Sequence, residues 1–337
     1  MDYSQVFSDP ELEEEFLDKF SDLADKAPKV SGGLESAEVS DLDVDRARES
    51  IDEMKGGDYS GGDTGLEAII ERFTRPVYLV QDSTFNEPGD EFDNSENVKE
   101  RLEAATGVLE SVIPSVGRVE VRNHRLDWVG TGWVLAEDVV ATNRHVAEEF
   151  ARASNGGFSF RINSMGSTMG VTMDWRREHQ RSAESRFRVT EVIWIEPDGS
   201  PDVALLRVVD TGEAGESQPT PIVLSEEGDI TIGKWVGVIG YPARDSRNSL
   251  TDQQRIFDGI YNVKRLSPGK LTAVGGGLVE HDATTLGGSS GSAVIDFETG
   301  NAMAIHFGGL EGAENRAVRA SELADIVRQH AGGNSYQ

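Results

Sequence analysis

From Val116 onward the apolar positions come in short runs, each cut off by Gly, Pro, Asn or Asp: Val116 to Asn123, Trp128 to Leu135, Val139 to Thr142, Phe187 to Ile195 and Val203 to Val209. Runs of this length, rich in β-branched and aromatic residues and bounded by turn formers, predict strands. A second set follows at Trp235 to Gly240, Ile256 to Val263, Lys270 to Val274, Ser292 to Phe297 and Ala302 to Phe307. Two strand clusters at spacings that suit Greek-key closure predict two barrels, the first over about 113–225 and the second over about 226–320. The last pattern, Ser321 to Arg328, has acids in its first turn and a base near its end. It predicts a closing helix over 321–330 with Ser321 as its N-cap.

Ahead of Val116 the period changes to that of helices. Leu66 to Phe73 and Val98 to Val112 carry helical spacing, joined by a Pro-containing acidic connection, and Ile113-Pro114 ends the second run. Residues 65–112 are therefore read as a helical extension. Residues 1–64 are polar and acidic; Leu12, Phe16, Leu17, Phe20 and Leu23 suit one apolar face, but Ser31-Gly32-Gly33, Gly56-Gly57 and Gly61-Gly62 break the segment. A flexible leader fits this text, and a solvated tail, a docking segment for a regulatory protein partner and a propeptide all remain open for it.

Charge narrows the choice of partners. A formal net charge of -28 over 337 residues, from 60 acidic and 32 basic side chains, argues against a nucleic-acid surface, which needs clustered Lys and Arg. Much of the acid lies in the first hundred residues, an asymmetry that belongs to the leader more than to the body. Arg outnumbers Lys 24 to 8, which fits either a high-salt habitat or GC-rich coding. With no cysteine, neither a disulfide framework nor a thiolate-zinc site can form. Met1 to Asp25 lacks the basic start and apolar stretch of a signal peptide, and no run approaches the length of a membrane span. A cytoplasmic bacterial protein that does not touch membranes is the expectation.

Candidate chemistry begins at Gly288-Ser289-Ser290-Gly291-Ser292-Ala293, a serine inside a glycine-flanked tight turn. Such strings also make linkers, but a linker is rarely followed at once by Ala293 to Phe297 and, after Thr299-Gly300, by Ala304-Ile305-His306-Phe307-Gly308-Gly309. A serine hydroxyl is a weak nucleophile unless a base takes its proton and a third group orients the base. Thr142-Asn143-Arg144-His145 follows an apolar run, and Pro201-Asp202-Val203-Ala204 places an acid at the mouth of a buried strand. Taken singly, His145 is also readable as a surface histidine and Asp202 as a turn cap.

The order His, Asp, Ser is that of chymotrypsin-like serine peptidases, and over about residues 115–330 the chain resembles the glutamyl endopeptidases and their bacterial trypsin-like relatives. The resemblance implies a mainly β fold of two six-stranded Greek-key barrels within a peptidase domain at 113–337, with a C-terminal helix and a helical acidic N-terminal extension. It implies Ser290 as nucleophile, His145 as general base and later acid, Asp202 as the orienting carboxylate, and the N–H groups of Gly288 and Ser290 as an oxyanion hole. It implies that Thr285 and His306 line a pocket for an acidic side chain, and that the strand through Phe307 and Gly308 pairs with substrate backbone. The expected activity is a serine endopeptidase acting on protein or peptide substrates through an acyl-enzyme. A peptide-binding module with a silent triad is the alternative.

One departure bears on control. Digestive trypsins place an aspartate before the nucleophile to receive a freed N-terminal amine, and here that residue is Ser289. The enzyme is therefore expected to be constitutively competent or governed by its first 110 residues, with self-cleavage of the acid-rich leader and a role in a bacterial stress or defence system as possible settings. The remaining histidines, His124, His179, His281 and His330, lack ligand-like spacing, so no metal is expected. No other cofactor is expected either, since Gly275-Gly276-Gly277 lacks the context of a phosphate loop. His281-Asp282 is read as a brace for the nucleophile turn, Asp138 and Asp296 as turn residues, and Arg176 to Arg181 as a solvated loop.

Overall fold

In the computed structural model, residues 77–86, 96–244, 250–309 and 315–331 are described; the leader and the expected helix Leu66–Phe73 lie outside them. The chain enters as a β-hairpin, β1 (Tyr78–Gln81) and β2 (Thr84–Asn86), where a helical extension was expected. Tyr78 and Val80 are buried while Leu79 and Gln81 are half-buried, the period of a strand, and the connecting Asp82 and Ser83 sit at φ 54° and 64°. Two positive φ values are what a mirror-image hairpin turn requires. Helix α1 (Glu96–Val112) then buries the stripe Val98, Leu102, Ala105, Leu109 and Val112, as its spacing predicts.

Six strands close the first barrel: β3 (Val116–Arg122), β4 (Trp128–Ala136), β5 (Val139–Thr142), β8 (Gly170–Asp174), β9 (Arg186–Ile195) and β10 (Ala204–Val208), in spatial order β10-β5-β4-β3-β8-β9. Helix α2 (Arg144–Phe150) and the hairpin β6 (Ala151–Ser154) and β7 (Gly157–Phe160) are inserted after β5. The second barrel holds β11 (Trp235–Gly240), β12 (Arg265–Gly275), β13 (Leu278–His281), β14 (Ala293–Asp296), β15 (Ala302–Gly309) and β16 (Asn315–Arg319). Its strands run β11-β14-β15-β16-β13-β12 and return to β11, and β1 attaches outside this ring along β12.

Alternation along the strands explains how the barrels meet. On β4 and β5, Val134 and Val140 join the first barrel's interior cluster, while Trp133, Leu135, Val139 and Ala141 join a cluster shared with Ile239, Ala293, Ile295 and Ile305 of the second barrel and with the α1 stripe. Both faces of these strands are buried, so their sequence reads as unbroken apolar text. The seam between the barrels is thus a continuation of the core.

Two expected elements are corrected. Ile256 to Val263 is not a strand: helix α3 (Leu250–Phe257) runs into a turn with Asp258, Gly259 and Asn262 at φ 52°, 63° and 63°, which no extended strand accommodates. The closing helix α4 (Ala320–His330) has Arg319, not Ser321, at its N-cap, and no side-chain cap bond. Its last turn reaches the first barrel, where the His330 ring stacks on Trp194 at 3.6 Å.

Candidate active site

Register brings His145 and Asp202 together. Strand β10 pairs antiparallel with β5 through Ala204 opposite Thr142, so the residues just before Ala204 lie against those just after Thr142. The Asn143 side-chain amide donates to the Asp202 carbonyl at 2.8 Å, and the His145 backbone N–H donates to Asp202 Oδ1 at 3.1 Å. The remaining carboxylate oxygen lies 2.6 Å from His145 Nδ1. Burial pushes the Asp202 carboxyl up, but the bonds from the His145 ring and backbone, with Arg144 nearby, outweigh it and hold the group below the usual range. An ionised carboxylate accepts only, so Nδ1 carries the proton and Nε2 presents a lone pair. The imidazole side chain is 47% exposed and able to receive a proton from outside.

Ser290 lies where two tight turns meet. Ser289 N–H closes the first on Leu286 O at 3.1 Å, with Gly288 at φ 87°; Ser292 N–H closes the second on Ser289 O at 2.9 Å, with Gly291 at φ 89°. A positive φ at the third position is the signature of a type II turn and favours glycine. Space demands it as well, because a Cβ on Gly288 would lie 2.6 Å from Tyr241 O and one on Gly291 would collide with Thr131 O. Gly291 N–H is taken by His306 O at 2.8 Å. These bonds leave the N–H groups of Gly288 and Ser290 as the turn's two unused donors among the described residues.

Two residues that the sequence reading missed join the halves of the site. Thr131, on β4, donates its N–H to Ser290 O at 2.9 Å and its hydroxyl to Gly288 O at 3.0 Å, while that hydroxyl accepts from Tyr241 N–H at 3.2 Å. Thr142, three residues before His145, donates its hydroxyl to Thr131 O at 2.7 Å. The nucleophile turn of one barrel is thereby tied to the strand pair that carries the imidazole in the other. No hydrogen bond between the Ser290 hydroxyl and His145 is formed among the described residues; in unliganded sites such bonds are often long and tighten with substrate.

Beside the turn, His306 is 2% exposed. Its Nδ1 lies 3.2 Å from His281 Nε2, and its backbone N–H donates to Ser292 O at 2.9 Å. Burial, reinforced by the nearby His145, pulls its imidazole down to about 4, so the ring is neutral. Thr285 Oγ1 donates to Asn315 Oδ1 at 3.0 Å, and Asn315 Nδ2 donates to Ala283 O at 2.7 Å. Phe307 and Gly308 are half-buried on β15. His281 contacts His306 itself, and Asp282 Oδ1 accepts from Lys270 N–H at 2.6 Å.

The expected solvated loop at Arg176 to Arg181 is corrected. Glu178 is 6% exposed and accepts from the backbone N–H groups of Asp82 and Ser83, and Arg177 joins an ionic cluster with Glu120, Asp174 and Glu184. The loop is the socket for the N-terminal hairpin, which the sequence reading did not anticipate. Asp296, expected in a turn, is the last residue of β14 and is paired with Lys234 at 3.0 Å. Among the described residues no group of three His, Asp or Glu side chains is arranged to hold a metal ion.

Comparison with known proteins was made against this geometry. A family model of the trypsin-like peptidase domain matches residues 130–305. A Lysobacter enzymogenes protein named as a probable serine protease is 30% identical over 278 residues, covering 74% of this chain and 70% of its own length. The glutamyl endopeptidase of Staphylococcus epidermidis is 25% identical over 207 residues, covering 61% of this chain and 62% of that protein. Among solved structures, the serine endoprotease from Yersinia pestis overlaps 67% of this chain and 65% of its own, at 18% identity and a TM-score of 0.44.

Proposed function

Because the chain belongs to the trypsin-like serine peptidase family, we propose that it cleaves protein substrates with Ser290 as nucleophile, His145 as general base and then acid, and Asp202 as the group that fixes the imidazole. Ser290 Oγ attacks the scissile carbonyl carbon while His145 Nε2 takes its proton. The carbonyl oxygen becomes an oxyanion between the N–H groups of Gly288 and Ser290, where preorganised donors act at the moment charge develops. The C–N bond breaks as the imidazolium returns the proton to the leaving amine. Water, deprotonated by the same imidazole, then attacks the acyl ester and frees Ser290.

The observation that carries this reading is the 2.6 Å His145–Asp202 bond standing at the seam to which Thr131 ties the Ser290 turn. An acidic side chain before the scissile bond is the preference we assign to the pocket beside Thr285 and His306. A neutral imidazole donates to a carboxylate, and the incoming charge favours its protonation, offsetting the burial that now disfavours it. Control by the N-terminal extension belongs to the same proposal, supported by the hairpin's hold on both barrels.

Digestion of a denatured protein mixture, with cut sites mapped by mass spectrometry, tests the proposal. Wild type is expected to cut after Glu and Asp, and Ser290→Ala to leave the mixture intact. Cuts without acidic enrichment remove the pocket assignment alone. An intact mixture with both proteins favours a peptide-binding module with a silent triad.

A further inference from the structure

The N-terminal hairpin is fixed to both barrels. Strand β1 pairs with β12, Tyr78 opposite Leu266 and Leu79 opposite Arg265. At its tip, Asp82 and Ser83 donate their N–H groups to the Glu178 carboxylate at 2.6 and 3.3 Å, Asp82 pairs with Arg181, and Gln81 Nε2 donates to His179 O at 2.9 Å.

Where β1 meets β12, Arg265 is 3% exposed, and its guanidinium is spent on backbone carbonyls. Nη1 donates to Val77 O at 3.2 Å; Nη2 donates to Phe257 O and, at 2.9 Å, to Ile260 O. The segment it grips contains the left-handed residues Asp258, Gly259 and Asn262. Such conformations persist only where the surroundings over-determine them. From the other side, Arg118 Nη1 of the first barrel donates to Asn262 O at 3.0 Å. The gripped segment in turn holds its neighbour, since Asn262 N–H donates to Pro242 O at 2.8 Å. The next residue, Ala243, donates its N–H to Gly287 O at 2.6 Å. The Gly287 carbonyl and the Gly288 N–H belong to one planar trans peptide and point in opposite directions. Pinning the oxygen therefore aims the N–H.

We propose that Arg265 is a positioning residue of this peptidase: it clasps Phe257–Asn262 between the N-terminal hairpin and the first barrel, and through Pro242-Ala243 this keeps the Gly288 N–H turned toward the reacting carbonyl. The inference rests on the reading of Gly288 as an oxyanion donor. It gives the chain ahead of Val77 a physical route to the catalytic turn that needs no freed α-amine and no aspartate at position 289.

Full-length Arg265→Met and Ala243→Pro, each confirmed folded by thermal melting, test the clasp at its two ends beside wild type and Ser290→Ala. Both variants are expected to lose about 10- to 100-fold in kcat with KM within about twofold, the pattern of a donor that acts in the transition state. A peptide aldehyde, whose adduct with serine places an oxyanion between the two N–H groups, loses affinity in parallel. In Arg265→Met, hydrogen–deuterium exchange at the Ala243 amide accelerates. Wild-type kcat in either folded variant, or unchanged Ala243 protection in Arg265→Met, overturns the proposal; if Arg265→Met does not fold, Ala243→Pro decides alone through kcat. Should wild type show no turnover dependent on Ser290, the peptidase reading fails, and the clasp stands or falls on the exchange at Ala243.

Discussion

At the residue scale, the 2.6 Å bond between Asp202 and His145 does more than hold a ring in place. An amide at 202 permits the opposite tautomer, in which Nδ1 accepts and Nε2 carries the proton that should have come from serine. Asp202→Asn is therefore expected to lower kcat by on the order of 10⁴ with the melting temperature little changed; a loss under tenfold in a folded variant contradicts the assigned role. The three residues of this chemistry were legible because each sits in its own sequence context: a serine between glycines, a histidine just past a strand, an acid just before one. Thr131 and Thr142 were not. A threonine in a strand looks like ordinary β-propensity, and only the neighbour across the seam gives its hydroxyl a task.

Elements decide how that chemistry is held. Strand β4 reaches the nucleophile turn through one side chain, because Thr131 both donates to Gly288 O and accepts from Tyr241 N–H. Thr131→Val keeps the shape and removes both bonds, leaving two backbone groups without their partner. Stability is expected to fall by about 1–3 kcal/mol, and kcat to fall further than KM changes as the turn loosens. Chemical denaturation and steady-state kinetics read the two effects, and unchanged values in both contradict the seam described above. Strands β3, β4, β5, β9, β10, β11, β14 and β15 were readable from short apolar runs. Hairpin β1–β2 was not, because Val77 to Asn86 is brief and lies between stretches that read as helical. The misread strand at Ile256 to Val263 has a similar cause: apolar residues that pack one face of a helix and its turn resemble a strand until the left-handed φ angles at Asp258 and Asn262 are seen.

For the whole molecule, the junction of extension, first barrel and second barrel is marked by Lys264, fully buried just before β12. Its Nζ donates to Ile113 O at 2.9 Å and Trp175 O at 2.8 Å. Burial pulls this amine down to about 8, with the nearby Glu178 and Asp174 opposing the fall. Between about pH 8 and the amine's ordinary value of roughly 10.4, the unfolded chain binds the proton that the folded chain has released, so stability rises with pH across that window. Measured against Lys264→Met, wild type is expected to gain on the order of 3 kcal/mol from pH 8 to pH 10.5. A flat difference contradicts a buried, depressed amine. Among the described residues no helix is long and apolar enough to cross a membrane.

The central claim is that an activated serine stands at position 290. It is tested most directly by treating native full-length protein with a fluorophosphonate and locating the adduct by peptide mass spectrometry. The account predicts one adduct, on Ser290, abolished in His145→Ala and strongly slowed in Asp202→Asn. An adduct elsewhere, or none on the folded wild type, contradicts it.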